Sequence, residues 1–395
     1  MTDVRIEAVD TRARGLRPRR DADRAGLLEV VRRLDLLLLG AVLGVLAYGL
    51  WAIDGITQLD SGGSALSRQG LYAGVGLVLM VAAIFVDPQL YRRFARFIYV
   101  AMLGVMLLVL ATGAVTRGSR RWIDLGFFRF QPSEFGKVLI ALFLAAYLSE
   151  RSKQIGKLSV PLRAILLAAV PVLLVFVQPD IGTALVYLAV LGAALFASGV
   201  RWVHLAAIGL VGLFAVLLVL WWLPASGTNV LKPYQAQRLT GVFHPSSDPQ
   251  GATYNVTQSI TTVGAGGLRG RGVAGATQTR LDYIPEHGTD FAFASLAEQR
   301  GFLGAAILLL LYLLVVWRGL RVVASAGDLF GAICAAGISF GFLFQVYVNV
   351  GMTIGIAPIT GIPLPFVSVG GSSMISNLVA MGILQAIYVR GRRRG

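Results

Sequence analysis

The chain has 395 residues, of which 56% are hydrophobic and only 14% charged, with a formal net charge of +15. A soluble domain carries roughly 25% charged residues, so this composition excludes an ordinary soluble enzyme and points to lipid, with several apolar stretches near the ~20 residues that cross a bilayer core. The positive balance does not indicate nucleic acid, because the arginines cluster at the ends of apolar runs, where they report topology; membrane lipids, not nucleic acid, are the expected surroundings. A lone cysteine, Cys334, lies inside an apolar run, which excludes an intrachain disulfide and suggests no metal cluster.

Residues 1–33 are polar and arginine-rich, lack the apolar core and cleavage site of a signal peptide, and read as a mobile cytoplasmic tail. From there the pattern predicts an all-α polytopic membrane protein. Ten spans are expected, at 34–53, 69–86, 97–115, 133–149, 161–177, 182–199, 203–223, 301–317, 328–349 and 371–389. The membrane domain then covers 34–390, with an extracytoplasmic loop 224–289 between the seventh and eighth spans and a basic tail 391–395. An inside N terminus puts Arg92, Arg93, Arg96, Arg151, Lys153, Lys157, Arg201, Arg318, Arg321 and the terminal arginines 390 and 392–394 on the cytoplasmic side. The positive-inside rule is met at every inner connection, and both termini are expected in the cytoplasm. Trp51, Trp202, Trp221, Trp222 and Trp317 fall at predicted helix ends, as an interfacial belt requires.

Two outer loops are basic against that rule. One, Arg117–Gln131, carries Arg117, Arg120, Arg121 and Arg129 against Asp124 alone; the other carries Lys232, Arg238, Arg269, Arg271 and Arg280. Guanidinium groups bind phosphate oxygens through charge-assisted, often bidentate, bonds. Contact with anionic lipid head groups accounts for the same charges.

The loop at 131–137, Q-P-S-E-F-G-K, opens the fourth span, with Pro132 suited to a helix start. Glu134 and Lys137 are three apart and share a helix face, so they either pair with each other or line a polar cavity that orients substrate. Gln178-Pro179-Asp180 separates two apolar runs, and Asp180 either caps the sixth helix or adds a carboxylate to the outer cavity. Residues 264–272, G-A-G-G-L-R-G-R-G, admit either close backbone approach to an anion or a flexible connection, and Tyr254–Thr262 reads as a short interfacial helix. Leu281–Ser295, L-D-Y-I-P-E-H-G-T-D-F-A-F-A-S, brings Glu286, His287 and Asp290 to the mouth of the eighth span, where an ionisable group must be solvated, paired or used. Residues 361–373, G-I-P-L-P-F-V-S-V-G-G-S-S, imply irregular backbone at membrane depth, which survives where protein or a wet cavity satisfies it. Ser368 and Ser372 there are candidate substrate contacts. The three histidines form no ligand set, and no Walker loop or dinucleotide fingerprint is convincing, which disfavours an ATP-driven pump.

These segments, in this order, resemble the SEDS family of bacterial cell-wall proteins (RodA, FtsW and their sporulation relative), over nearly the whole chain from Leu34. R-W-I-D-L-G-F-F-R-F-Q-P-S-E-F-G-K (Arg121–Lys137) and N-V-G-M-T-I-G-I-A-P-I-T-G-I-P-L-P-F (Asn349–Phe366) are more similar to RodA than to FtsW. The resemblance implies ten spans in the bacterial plasma membrane and a peptidoglycan glycosyltransferase. Such an enzyme polymerises lipid II at the outer face, beside a class B penicillin-binding protein. It also implies that Asp290 is the essential aspartate, for which a general-base role suits an inverting transfer. Arg120, Arg121, Glu134, Lys137, Asp180, Arg238, Arg269, Arg271, Glu286, Ser368 and Ser372 are the expected substrate-binding residues. A divalent cation, Mg or Mn, would neutralise the pyrophosphate, with Glu134 or Asp180 as participants. The chain departs from the family pattern at Gly288, where histidine is usual, at Val369, where an aromatic residue is frequent, and at Gln299, where glutamate is. A lipid II flippase and a non-catalytic scaffold are the competing functions; no inverted repeat with paired broken helices supports the former.

Overall fold

The structure, a computed structural model, describes residues 29–57, 64–116, 119–124, 126, 128–218, 222, 252–281, 283–284 and 286–394. The chain divides into a unit of residues 1–34 and a unit of residues 35–395. In the first, Arg33 and Glu29 form an i,i+4 ion pair at 2.7 Å; the remainder of the expected tail lies outside the described residues.

The second unit is mostly helical. In chain order its helices are α1 (Leu36–Thr57), α2 (Ser64–Phe85), a short α3 (Pro88–Arg93), α4 (Ala95–Thr112), α5 (Pro132–Glu150), α6 (Ser159–Val177), α7 (Ile181–Ala197) and α8 (Trp202–Leu217). Residues 224–251, the first part of the expected extracytoplasmic loop, lie outside the described residues; from residue 252 come α9 (Ala252–Ala265), α10 (Gly272–Gly275), α11 (Thr277–Arg280), α12 (Ala292–Ser325), α13 (Leu329–Thr353) and α14 (Gly371–Arg394). Eight of these are long and apolar enough to cross a bilayer, and α7 and α8 are shorter apolar helices, so this is a multi-pass membrane protein.

Burial separates centre from rim. In α14 94% of the spanning window is buried, in α5 72% and in α13 67%, against 28% in α4, whose Phe97, Val100, Leu107 and Leu108 point outward. A helix buried on all sides belongs at the centre of a bundle, and a one-sided one at the lipid boundary. α14 lies along α2, while α13 packs against α7, α12 and α5. Close approach has a sequence cause at Gly49 of α1, where a Cβ would stand 2.2 Å from the Phe366 carbonyl oxygen.

Two segments differ from expectation. The loop before α5 forms a small antiparallel sheet, β1 (Ala114–Thr116), β2 (Ser119–Asp124) and β3 (Arg129–Phe130), in the order β1-β2-β3. Its register pairs Ile123 with Phe130, and Phe128 and Phe130 continue into an aromatic cluster with Tyr72 and Phe135. Ahead of the eighth span, α12 adds a short buried helix from Ala292 that was not expected; it joins the span at Gly301 (φ 67, ψ −168), the position where the span was expected to begin.

Candidate active site

Asp290 sits on the turn 286–291 that leads into α12. The turn is tied internally by Thr289 N and Phe291 N, which donate to the Glu286 carbonyl at 3.0 and 3.2 Å. Thr289 Oγ1 donates to the Glu286 carboxylate at 2.8 Å, and Glu286 itself holds φ 61, a left-handed conformation costly for a residue with a Cβ. On its inner side, Ile284, Phe291 and Ala294 form a buried apolar knot with Val263.

Facing the turn is the irregular segment 354–370, and side chains satisfy its backbone. Tyr312 Oη donates to the Pro365 carbonyl at 2.5 Å, Asn349 Nδ2 donates to the Ile362 carbonyl at 2.7 Å, and Gln69 Nε2 donates to the Ser368 carbonyl at 3.1 Å. This wall and the turn are joined directly. Ser368 Oγ donates to the Thr289 carbonyl at 2.5 Å and accepts from Leu364 N at 2.8 Å, Val369 N donates to the Gly288 carbonyl at 2.9 Å, and Asn349 Nδ2 also donates to the Asp290 carbonyl at 2.9 Å. Gly361 lies against the acid itself: a Cβ there would be 3.4 Å from Asp290 Oδ2. A half-buried carboxylate is thereby held on a backbone fixed from two directions.

A second polar cluster lies where β2, α5 and the α6–α7 turn meet. Arg121 donates through Nε to the Gln178 carbonyl at 2.8 Å and through Nη2 to the Pro179 carbonyl. Asp180 caps α7, its Oδ1 accepting from Thr183 N at 3.1 Å, while Oδ2 accepts from Gln131 Nε2 at 3.1 Å. Gln131 accepts from Trp122 Nε1 at 3.1 Å, and its backbone N–H donates to Ser372 Oγ at 2.9 Å, which in turn donates to the Arg129 carbonyl at 3.0 Å. Ser372 therefore links this cluster to the start of α14, directly after the wall. Deeper in α5, Lys137 Nζ stands 2.7 Å from Glu134 Oε2 and 2.7 Å from Gln345 Oε1, all three buried. The trio borders a cavity of about 20 Å³ that Ser376 and Asn377 also line, room for about one water.

The glycine-rich stretch has a structural occupant. Gly266 and Gly270 press on α12, where added Cβ atoms would lie 2.0 Å from the Ala297 carbonyl oxygen and 2.3 Å from that of Gln299. Phe302 N donates to the Gly267 carbonyl at 2.8 Å and Arg271 N to that of Glu298 at 2.9 Å. The glycines admit the kinked helix of the same chain, and this packing is their physical reason. Arg271 Nε donates to the Ala265 carbonyl at 2.8 Å and Arg280 Nη1 to that of Ala274 at 3.1 Å, whereas Arg269 is exposed with no hydrogen bond among the described residues. Arg120 lies in β2 opposite Val115, and Arg238 lies outside the described residues.

For a divalent cation the donors are sparse. No group of three or more His, Cys, Asp or Glu that could hold a metal occurs among the described residues. Glu134 is paired with Lys137, and both Asp180 oxygens accept hydrogen bonds, so neither fits a metal-ligand role as placed. The acids left on the site's own turn are Glu286 and Asp290.

The family model described as cell cycle protein, FtsW/RodA/SpoVE, matches residues 31–393. The chain belongs to this family. It is 38% identical over 356 residues to peptidoglycan glycosyltransferase MrdB of Escherichia coli (strain K12), covering 90% of this chain and 93% of that protein. Among solved structures, it is similar to a chain of a peptidoglycan synthase complex that coordinates polymerisation and crosslinking. That match has a TM-score of 0.76 and 31% identity, over 91% of this chain and 98% of the other. The crystal structure of Thermus thermophilus rod shape determining protein RodA matches with a TM-score of 0.66 and 29% identity, over 91% and 97% of the two chains.

Within the FtsW/RodA/SpoVE pattern, two of the three departures of this chain meet in space. Gly288 and Val369 share the backbone hydrogen bond that joins turn to wall, and a Cβ at 288 would lie 3.8 Å from Val369 Cγ2. The bond that joins turn to wall runs between backbone atoms and uses neither side chain. The third, Gln299, is buried and donates to the Gly55 carbonyl of α1 at 3.0 Å, a bond a carboxylate could not make. Sequence reasoning passed over Asn349, Gln69, Gln131, Gln345 and Glu298. The available signal was their polarity within apolar runs, since such groups must find partners in a membrane. Glu298 shows the rule: its buried carboxylate accepts from Gln278 N at 2.9 Å, Thr279 N at 2.9 Å and Thr279 Oγ1 at 2.7 Å.

Proposed function

We infer that this chain is a peptidoglycan glycosyltransferase that polymerises lipid II into glycan strands at the outer face of the plasma membrane, in cell-wall elongation, with Asp290 as general base. The observation that carries the reading is the fixing of the Asp290 turn to the wall by Ser368 and Asn349, with the carboxylate beside Gly361, in a chain 38% identical to MrdB. The acceptor's sugar hydroxyl is a weak nucleophile at neutral pH. A carboxylate within ~3 Å takes its proton as the new glycosidic bond forms at the anomeric carbon. The bond from that carbon to the donor's pyrophosphate breaks in the same displacement, which inverts the centre and needs no covalent enzyme intermediate. Charge developing on the departing pyrophosphate would be met by basic side chains of the outer loops, among which Arg269 is exposed. A Mg or Mn ion carried by the pyrophosphate would neutralise charge on the leaving group and would need only one or two protein carboxylates.

The partner is a class B penicillin-binding protein, a reading supported by the synthase complex whose chain this one resembles. Both termini are cytoplasmic, as the distribution of lysine and arginine favours. The test is polymerisation of lipid II by purified protein with its partner transpeptidase. Asp290→Ala is expected to abolish glycan formation; glycan at the wild-type rate from that variant refutes the assignment. Movement of labelled lipid II across vesicles without polymer would instead mark a translocase.

A further inference from the structure

One of the buried amides that hold the wall opposite Asp290 also ties it to the residue that bears the acid. Asn349, on α13, is 0% exposed, and its carboxamide nitrogen donates to two backbone carbonyls that belong to separate segments. One is the carbonyl of Asp290 itself at 2.9 Å; the other is that of Ile362, next to Gly361, at 2.7 Å. An NH₂ group has two hydrogens, so both are committed, and an amide supplies them from one atom without a charge. Its Oδ1 is buried and has no hydrogen-bond partner among the described residues. A buried acceptor left unsatisfied is costly, by roughly the desolvation penalty of the group. A hydroxyl would supply one donor and an apolar side chain none, so either would take this bond from at least one of the two carbonyls. The arrangement keeps the two donors despite the orphaned acceptor.

Those two carbonyls define the surroundings of the acid. Ser368 holds the turn one residue earlier, at Thr289, so Asn349 is the latch at the residue that bears the carboxylate. Through Ile362 the same amide holds the backbone beside Gly361 (φ 71), where an added Cβ would stand 3.4 Å from Asp290 Oδ2, so this stretch of wall runs close to the carboxylate. We propose that Asn349 is a positioning residue for the transfer reaction: it fixes the Asp290 backbone against the 361–362 wall and so aims the carboxylate at the acceptor hydroxyl. This rests on Asp290 being the base. Misplacement of a reacting group by about 1 Å can cost on the order of 100-fold in rate without weakening substrate binding.

Two variants separate the latch from general damage. Asn349→Asp keeps the size and turns the two donors into acceptors, and Asn349→Leu removes the donors without adding charge. Each is purified with its partner transpeptidase, lipid II binding is titrated, and the single-turnover polymerisation rate is expressed per lipid II-binding site, which misfolded protein does not enter. Expected is a loss of at least about 10-fold in that rate in both variants, with the lipid II dissociation constant within about twofold of wild type. Wild-type rates per binding site in both, beside an inactive Asp290→Ala control, overturn the positioning role alone. Loss of lipid II binding in both also overturns it, since Asn349 would then hold the fold. An Asp290→Ala control that polymerises normally places the failure in the base assignment instead.

Discussion

Replacing Lys137 by methionine tests whether the Glu134–Lys137 pair holds the helix bundle or meets substrate. Lys137 is 6% exposed and Glu134 2%, and the ammonium lies 2.7 Å from both Glu134 Oε2 and Gln345 Oε1. Methionine matches the stem of lysine, so packing is kept while the cation disappears. The Glu134 carboxylate then loses the donor that satisfies it, inside a bundle where α5 is one of the most buried spans. Breaking a buried pair from one side costs about 3–5 kcal/mol, because the surviving charge has no counter-ion. Glu134→Gln leaves the ammonium with two neutral carbonyl acceptors and carries a similar penalty. In the double variant both charges are gone, and neutral replacement of a buried pair is often close to neutral in stability. The double variant should therefore be more stable than either single one, with a coupling of at least about 2 kcal/mol, at the upper end for residues in contact. Unfolding midpoints and denaturant titrations in a fixed detergent measure the cycle. Additivity of the two single effects within about 0.5 kcal/mol would refute a structural pair. So would a Lys137→Met protein of wild-type stability whose KM for lipid II has risen, which would make the pair a substrate contact.

How much of this was legible in the sequence depends on whether the relevant partner was near in the chain. The apolar runs announce their helices, because crossing a bilayer demands a long stretch of one kind of residue. Glu134 and Lys137 are three apart, so their pairing could be read as one of two outcomes; Gln345, 208 positions from Lys137, could not. Nothing near Asn349 in the chain shows its role, since its acceptors lie 59 and 13 positions away. The start of α12 was hidden for a related reason. Residues 292–300 include Glu298, Gln299 and Arg300, which lower the hydropathy, yet the first two are buried because they satisfy the backbone of neighbouring segments. Glycine composition at 264–272 is equally ambiguous by itself. It states that something approaches the backbone closely, and only the fold shows that α12 does.

Two further predictions distinguish packing from ligand contact at that loop. Gly301→Ala puts a side chain at φ 67 with its Cβ 2.2 Å from Gly270 N, so destabilisation of at least about 2 kcal/mol is expected, read as a lower unfolding midpoint and faster tryptic cleavage after Arg269 or Arg271. Unchanged stability would mean that the loop does not close on α12. Arg269→Ala should behave in the opposite way, because the side chain is exposed and makes no hydrogen bond among the described residues, and surface substitutions of that kind usually stay within about 0.5 kcal/mol. If its guanidinium meets pyrophosphate, KM for lipid II rises by about 10-fold, equivalent to ~1.4 kcal/mol, and the rise shrinks as ionic strength increases, because exposed charges are screened within ~10 Å at 0.1 M salt. Arg271→Ala is the matched control. That guanidinium already donates to the Ala265 carbonyl at 2.8 Å, so its loss should loosen the end of α9 and leave KM nearly unchanged. Equal effects of the two variants on KM would show that the loop's charge acts collectively, without a particular arginine at the leaving group.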